Sequence, residues 1–321
     1  MSSPAGGEPG RPGGAGRPPV GAVVAVVGPT AAGKSALSIA LAHALDGEVV
    51  NADSMQLYRG MDIGTAKLTV AERDGVPHHL LDIWEVTEPA SVAEYQRLAR
   101  AAVDDILARR RVPLLVGGSG LYVRAVLERF EFPGTDPAVR ERLEAELAQV
   151  GPAPLYARLR AADPAAAASI LPNNGRRIVR ALEVIELTGA PFTAALPGPT
   201  PYYPSVQVGV DLDTAPLDER IALRVDRMWA DGLVAETREL VGRGLAEGRT
   251  ASRALGYQQV LRYLAGELTE TEAYEETIRA TRRFVRRQRS WFRRDPRIQW
   301  LDAASPGLVA DALRVVGDAA R

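Results

Sequence analysis

The 321-residue chain contains no cysteine, which excludes disulfides, thiolate zinc centres and a cysteine nucleophile together. A cytoplasmic protein is the expectation, since a reducing compartment needs no disulfides. Histidine is scarce, at three residues. His43 falls in an Ala/Leu-rich helical pattern, and His78-His79 lack a nearby Cys or third His to complete a metal set. No apolar run approaches the length of a membrane span and no apolar leader core precedes residue 20, so neither a membrane nor a signal peptide is expected. Net charge is almost absent too. At −1 it gives no global pull toward nucleic acid, and any such case rests on local clusters. Lysine is the scarcest charge carrier: of 39 basic residues only Lys34 and Lys67 are lysines.

One of those lysines completes Gly28-Pro29-Thr30-Ala31-Ala32-Gly33-Lys34-Ser35, a full G-x-x-x-x-G-K-S phosphate loop. The apolar run Ala22 to Val27 precedes it and an Ala/Leu-rich helical pattern follows, which is the strand, loop and helix start the motif needs. Its glycines let successive amides converge on an anion, and the helix N-terminus adds partial positive charge. A slim ammonium reaches the outer phosphates where a forked guanidinium would not fit. Nucleotide or ATP binding is the generic implication of such a loop.

Residues 1–19 are rich in Gly, Pro, Ala and Ser and are expected to form a disordered tail. Beyond them, 46% hydrophobic content supports a substantial core. Glu48 to Asn51 reads as a second strand delivering Ala52-Asp53-Ser54 at its carboxyl end, and His79 to Ile83 reads as another short strand. Ser91 with Glu94 is a capping box opening a helix to about Arg110. Pro113 to Val116 is a buried strand running into Gly117-Gly118-Ser119-Gly120. Alternating strands and helices predict an α/β fold, a P-loop NTPase-like parallel sheet flanked by helices. From about residue 130 strand signals vanish, while Asp136-Pro137, Asp163-Pro164 and Asn174 mark helix starts. A helical insertion is therefore expected over 131–204, closed by the segment Pro197 to Pro204, with the core domain formed by 20–130 and 205–321. Val206 to Leu212 returns to the sheet. Helices follow over Leu217 to Asp231, Leu233 to Val241 and Thr269 to Arg294.

A phosphate loop alone names no reaction. An ATPase or GTPase usually has a later strand ending in Asp to order Mg²⁺, whereas Leu114-Leu115-Val116 runs into glycines here, and no guanine-reading Asn-Lys-x-Asp is present. Asp53 is the acid best placed to face the phosphate site, although an ordinary turn aspartate reads the same way.

Asp53-Ser54-Met55-Gln56-Leu57-Tyr58 followed by Met61-Asp62-Ile63-Gly64-Thr65-Ala66-Lys67 resembles the second signature of the tRNA dimethylallyltransferases, or tRNA isopentenyltransferases. The likeness continues through Pro77 to Asp82, Gly117 to Tyr122, Arg176 to Glu183, Arg224 to Met228, Leu255 to Gln259 and Arg286 to Arg293. The resemblance implies attack by the N6 amine of an adenosine beside the anticodon on the allylic carbon of dimethylallyl diphosphate, with Mg²⁺ present. By that likeness Gly28, Pro29, Thr30, Ala31, Ala32, Gly33, Lys34, Ser35 and Arg224 bind the diphosphate, with the amides from Thr30 to Ser35 turned toward it. Ser35 holds the metal, Thr30 lies at the transferring centre, and Asp53 is the general base. The likeness also sets Asp53, Ser54, Met55, Gln56, Ser119, Arg176, Arg177, Ile178, Val179 and Arg180 against tRNA. Ser119 stands where Thr is common and keeps the hydroxyl. Arg176 stands where Gln is common, which favours phosphate contact over base reading.

Nine arginines fall between Arg279 and Arg297. Ile278, Thr281, Val285, Gln288 and Phe292 follow helical spacing toward the core, leaving Arg279, Arg282, Arg286, Arg289 and Arg293 on an adjacent face for tRNA phosphates. A monomer is expected. Three other readings remain open on the residues alone: a small-molecule kinase, a prenyltransferase of free adenine nucleotides, and a non-enzymatic RNA-binding scaffold.

Overall fold

The computed structural model describes residues 18–130, 132–192 and 200–319. The chain divides into two compact units, one made of Met1–Leu127 with Pro201–Arg321 and the other of Glu128–Thr200; the sequence limits for the insertion were 131 and 204. The expected tail lies outside the described residues up to position 17, as do positions 193–199 of the closing segment.

The first unit is built on a parallel sheet. β1 (Val23–Val27), β2 (Gly47–Asn51), β3 (His78–His79), β4 (Val112–Gly117), β5 (Ser205–Asp211) and β6 (Ile298–Asp302) lie in the order β3-β2-β4-β1-β5-β6. Helices flank it: α1 (Lys34–Leu45), α2 (Val92–Ala108) and α3 (Gly120–Leu127) before the second unit, and α8 (Thr214–Ala230), α9 (Leu233–Gly242), α10 (Tyr257–Leu264), α11 (Glu270–Phe292) and α12 (Leu308–Asp318) after it. The chain is therefore α/β, as its sequence predicts. β1 is covered on both faces, so its five residues are all buried and read as an unbroken apolar run. Alternation then divides them. Val23, Ala25 and Val27 join a core with α2, α3 and α10, while Val24 and Val26 pack with Leu37 and Leu41 of α1 and Val316 of α12. Burying one such aliphatic side chain stabilises the fold by about 1.5–3 kcal/mol.

The register aligns Val27 with Gly117 of β4 and Gly209 of β5, and Asn51 of β2 with Val116. The carboxyl ends thus share one edge, where ligands bind in open α/β sheets. The expected strand from His79 to Ile83 is instead the two-residue β3, because Leu80 (φ 63°) and Asp82 (φ 57°) adopt left-handed backbone that breaks a ladder. The structure adds β6, α3, α10 and α12 to the elements that the sequence predicts for this unit.

The second unit contains α4 (Pro137–Val150), α5 (Pro152–Ala162), α6 (Pro164–Ser169) and α7 (Gly175–Thr188). Asp136, Asp163 and Asn174 each cap a helix by accepting backbone N–H bonds. Leu143, Leu155, Leu159, Ile170 and Ile178 form its core. Within it, the fully buried Glu183 carboxylate is held by Arg140 and by Arg180 at 2.7 Å. Those guanidinium partners keep the Glu183 carboxyl below its ordinary range despite burial.

Candidate active site

Gly28 leaves β1 at φ 145°, and a Cβ there would meet the Val210 carbonyl oxygen at 2.1 Å. Only glycine lets the loop start so close to β5. At the other end Gly33 (φ 96°) turns the chain into α1. Lys34 folds back within the loop, its Nζ donating to the Pro29 carbonyl at 2.8 Å. Burial pulls its ammonium down to about 8, the Asp53 charge opposes this, and the Arg224 charge adds to it. Arg224, on α8, is likewise lowered by burial and supported by Asp53. Its Nη2 donates to the Thr65 carbonyl at 3.0 Å.

Asp53 is held by its own strand end. Buried Asn51 accepts the Asp53 N–H at 2.9 Å and donates to the carbonyls of Asp53 (3.0 Å) and Leu80 (3.1 Å). Tyr95 of α2 donates to the Asn51 carbonyl at 2.9 Å. One carboxylate oxygen of Asp53 accepts the Met55 N–H at 2.9 Å, while Oδ2 makes no hydrogen bond among the described residues. The turn-aspartate reading accounts for one oxygen of Asp53 and leaves the other for a ligand. Ser119 accepts the Ser54 N–H at 3.3 Å and donates to its hydroxyl at 3.3 Å, and Gln56 donates to the Thr65 carbonyl at 3.2 Å. Asp53, Ser54, Gln56, Lys34, Arg224 and Ser119 therefore gather at the carboxyl edge of the sheet. This arrangement can hold a polyanion between an ammonium and a guanidinium, with a free carboxylate oxygen beside it for a proton.

Residues 56–295 match a protein-family model described as IPP transferase. The tRNA dimethylallyltransferase of Salinispora arenicola is 90% identical over 301 residues, covering 94% of this chain and 88% of that protein. The chain belongs to the tRNA dimethylallyltransferase family. A family relative from Streptomyces avermitilis is 70% identical across 91% of this chain and 93% of its own length. Among solved structures, the full-length tRNA isopentenylpyrophosphate transferase of Bacillus halodurans superposes with a TM-score of 0.67 at 41% identity, covering 93% of this chain and 98% of that one. A eukaryotic dimethylallyltransferase described as acting on tRNA gives 0.76 at 28% identity, covering 88% of this chain and 73% of that one.

Against the family pattern, several expected residues behave differently. The Thr30 amide is not turned to an open cradle: it donates to Gln288 Oε1 at 3.0 Å, and the Gln288 Nε2 donates to the Gly118 carbonyl at 2.9 Å. Ile178 and Val179 are 0% and 1% exposed in the core of the helical unit, so their side chains have no surface to offer tRNA. Arg180 is spent on Glu183 and the carbonyls of Pro133 and Gly134. Arg176 and Arg177 are exposed.

The arginine face of α11 is partly neutralised within the protein. Arg289 grips Asp211 at 2.8 Å and Thr214 at 3.0 Å, Arg293 reaches Asp211 at 3.4 Å, Arg282 faces Asp218 at 3.6 Å and Arg279 pairs with Glu275. Among the described residues Arg283, Arg286 and Arg294 have no such partner. The inward face holds Thr277 where Ile278 was expected, and Ile278 is half-buried.

Lys67 has a structural role. It is 8% exposed, and its ammonium binds Asp62 and Asp82 at 2.6 Å each and the Tyr58 carbonyl at 2.9 Å. Gln288 is the residue whose part at the site went unread. Its signal was available, since a glutamine on a core-facing helix position needs buried partners. His79 joins Arg109 and Arg111 around buried Glu48, and the hydrogen bonds from Arg109 and Arg111 hold its carboxyl far below the usual range. Among the described residues no group of three or more His, Cys, Asp or Glu can hold a metal, and no helix is long and apolar enough to cross a membrane.

Proposed function

We propose that the chain transfers the dimethylallyl group of dimethylallyl diphosphate to N6 of the adenosine beside the anticodon, position 37, of tRNA. The N6–carbon bond forms as the carbon–oxygen bond to diphosphate breaks, and the N6 proton passes to Asp53. The observation that carries this reading is the meeting of Asp53, Lys34 and Arg224 at the carboxyl edge of the sheet, with the neighbouring strand β4 ending in Gly117 rather than an acid.

Most of the work in such a displacement is stabilising charge that builds on the leaving diphosphate. Lys34 and Arg224 supply that charge in a partly water-excluded position, where it acts more strongly than in bulk water. Thr30 lies next to the reacting centre. Its amide and the Lys34 ammonium exchange their internal partners, Gln288 and the Pro29 carbonyl, for diphosphate oxygens. Asp53 offers Oδ2 to the amine while Met55 holds Oδ1, so the acceptor is aimed before substrate arrives. Ser54, Gln56 and Ser119 surround the position of the extruded base, and a loop nucleotide unstacks at less cost than a paired one.

Ser35 is exposed in the first turn of α1. A single hydroxyl with no all-protein cage suits Mg²⁺ carried in on phosphate oxygens. When bound, the ion neutralises part of the diphosphate charge. The reading describes a cytoplasmic monomer.

The test incubates the protein and unmodified tRNA with labelled dimethylallyl diphosphate or labelled ATP, followed by nucleoside analysis. Prenylated adenosine from the first supports the proposal; phosphate transfer from ATP, or prenylation of free adenine nucleotides in preference to tRNA, overturns it.

A further inference from the structure

Arg224 takes its aim from the Thr65 carbonyl, and that carbonyl belongs to a turn held from outside by one carboxylate. Glu236, half-buried on α9, accepts three successive backbone amides: Asp62 at 3.2 Å and Ile63 at 2.8 Å on Oε2, and Gly64 at 3.3 Å on Oε1. The hydroxyl of fully buried Tyr257 donates to the same Oε1 at 2.5 Å and accepts the Gly64 N–H at 3.2 Å. A Cβ at Gly64 would meet the Tyr257 ring at 2.4 Å, so the backbone itself lies against the ring. A carboxylate that collects this many donors fixes a turn in place. Thr65 follows directly, and its carbonyl takes Gln56 as well as Arg224.

We propose that Glu236 is a positioning residue for prenyl transfer: with Tyr257 it locks the Asp62 to Thr65 turn, and the Thr65 carbonyl in turn aims the Arg224 guanidinium at the diphosphate. The inference rests on the reading above that Arg224 binds that group. Lys67 anchors the same turn from its other side through Asp62. Among the described residues, Glu236 alone accepts all three amides from Asp62 to Gly64.

Glu236→Gln keeps the shape but replaces one acceptor oxygen with an amide that points hydrogens at backbone N–H groups. The test uses the full chain, inorganic pyrophosphate as the probe and titration calorimetry, on wild type, Glu236→Gln, Arg224→Ala and the double variant. Glu236→Gln is expected to weaken pyrophosphate by about tenfold, the scale of one charge-assisted hydrogen bond. In the Arg224→Ala background the same change should do nothing further, because there is no guanidinium left to aim. Single-turnover transfer should fall in parallel.

Wild-type affinity in Glu236→Gln, or effects that multiply in the double variant, would overturn the inference and leave the function intact. Unchanged affinity in Arg224→Ala would overturn the diphosphate assignment itself. Should Glu236→Gln lose its cooperative thermal transition, Tyr257→Phe removes a single hydroxyl from the same carboxylate. It is expected to weaken pyrophosphate about threefold, again only when Arg224 is present; an equal loss without Arg224 refutes the coupling.

Discussion

Lys34 titrates within reach of ordinary buffers, which makes its partner testable. In the free protein its ammonium is brought down from 10.5 to about 8, so it holds its proton at neutral pH and sheds it above about 8. Each further pH unit then lowers the charged fraction about tenfold, equivalent to about 1.4 kcal/mol of binding. Pyrophosphate affinity should therefore be flat up to about pH 8 and then decline toward the floor set by Lys34→Met. Subtracting the Lys34→Met curve removes the titration of pyrophosphate itself. Binding should also take up protons above pH 8, because the bound anion restores the ammonium, and calorimetry in buffers of different ionisation enthalpy reads that uptake. Asp53 supports the charge, so Asp53→Asn should move the break to lower pH. Stability has the opposite slope. Between about 8 and 10.5 the unfolded chain binds more protons than the folded one, so this residue's contribution to folding free energy rises with pH. Parallel wild-type and Lys34→Met affinity curves from about pH 7 to 10 would refute a direct contact between this ammonium and the anion.

Asp53→Ala should lower single-turnover transfer by about two to four orders of magnitude, as removal of a general base does, with pyrophosphate still bound; unimpaired transfer would remove Asp53 from the chemistry. Lys67→Met strands two carboxylates that are 56% and 42% exposed and can rehydrate, so urea unfolding should show a loss of about 2–3 kcal/mol, toward the low end for a broken buried pair. A change below about 0.5 kcal/mol would show the cluster to be idle. Affinity for tRNA should fall steeply with salt, and exposed Arg176→Ala should reduce the log–log slope by about one. Unchanged salt dependence in that variant would remove the residue from phosphate contact.

The strands beside the candidate site were legible because burial on both faces leaves an unbroken apolar run, as in β1 and in Leu114 to Val116 of β4. The helical unit announced itself through Asp-Pro and Asn caps, whose chemistry is local. What stayed hidden was long-range. β6 has only Ile298 fully inside and so lacks the apolar signature of its neighbours. The sequence predicts strand in the loop after β3 because Leu80, a residue type uncommon in left-handed backbone, gives no sign of its conformation. Lys67, Glu236 and Gln288 act through partners 5 to 258 positions away, and side-chain type alone does not reveal such pairings. The arginines of α11 look alike in sequence; only the fold separates Arg289, closed on Asp211, from Arg286, which faces solvent with no ion-pair partner among the described residues.

Gln288 bears on how the protein comes into being. It joins the Thr30 amide to the Gly118 carbonyl from 258 and 170 residues downstream, and β5, the strand against which Gly28 packs, follows the helical unit. A nascent chain on the ribosome therefore carries the complete Gly28–Ser35 motif long before that loop has its final packing. Synthesis must pass through α11 before Thr30, inside the eight-residue motif, acquires its final partner. A premature stop between the motif and α11 leaves the signature intact as text but without Gln288 to hold it.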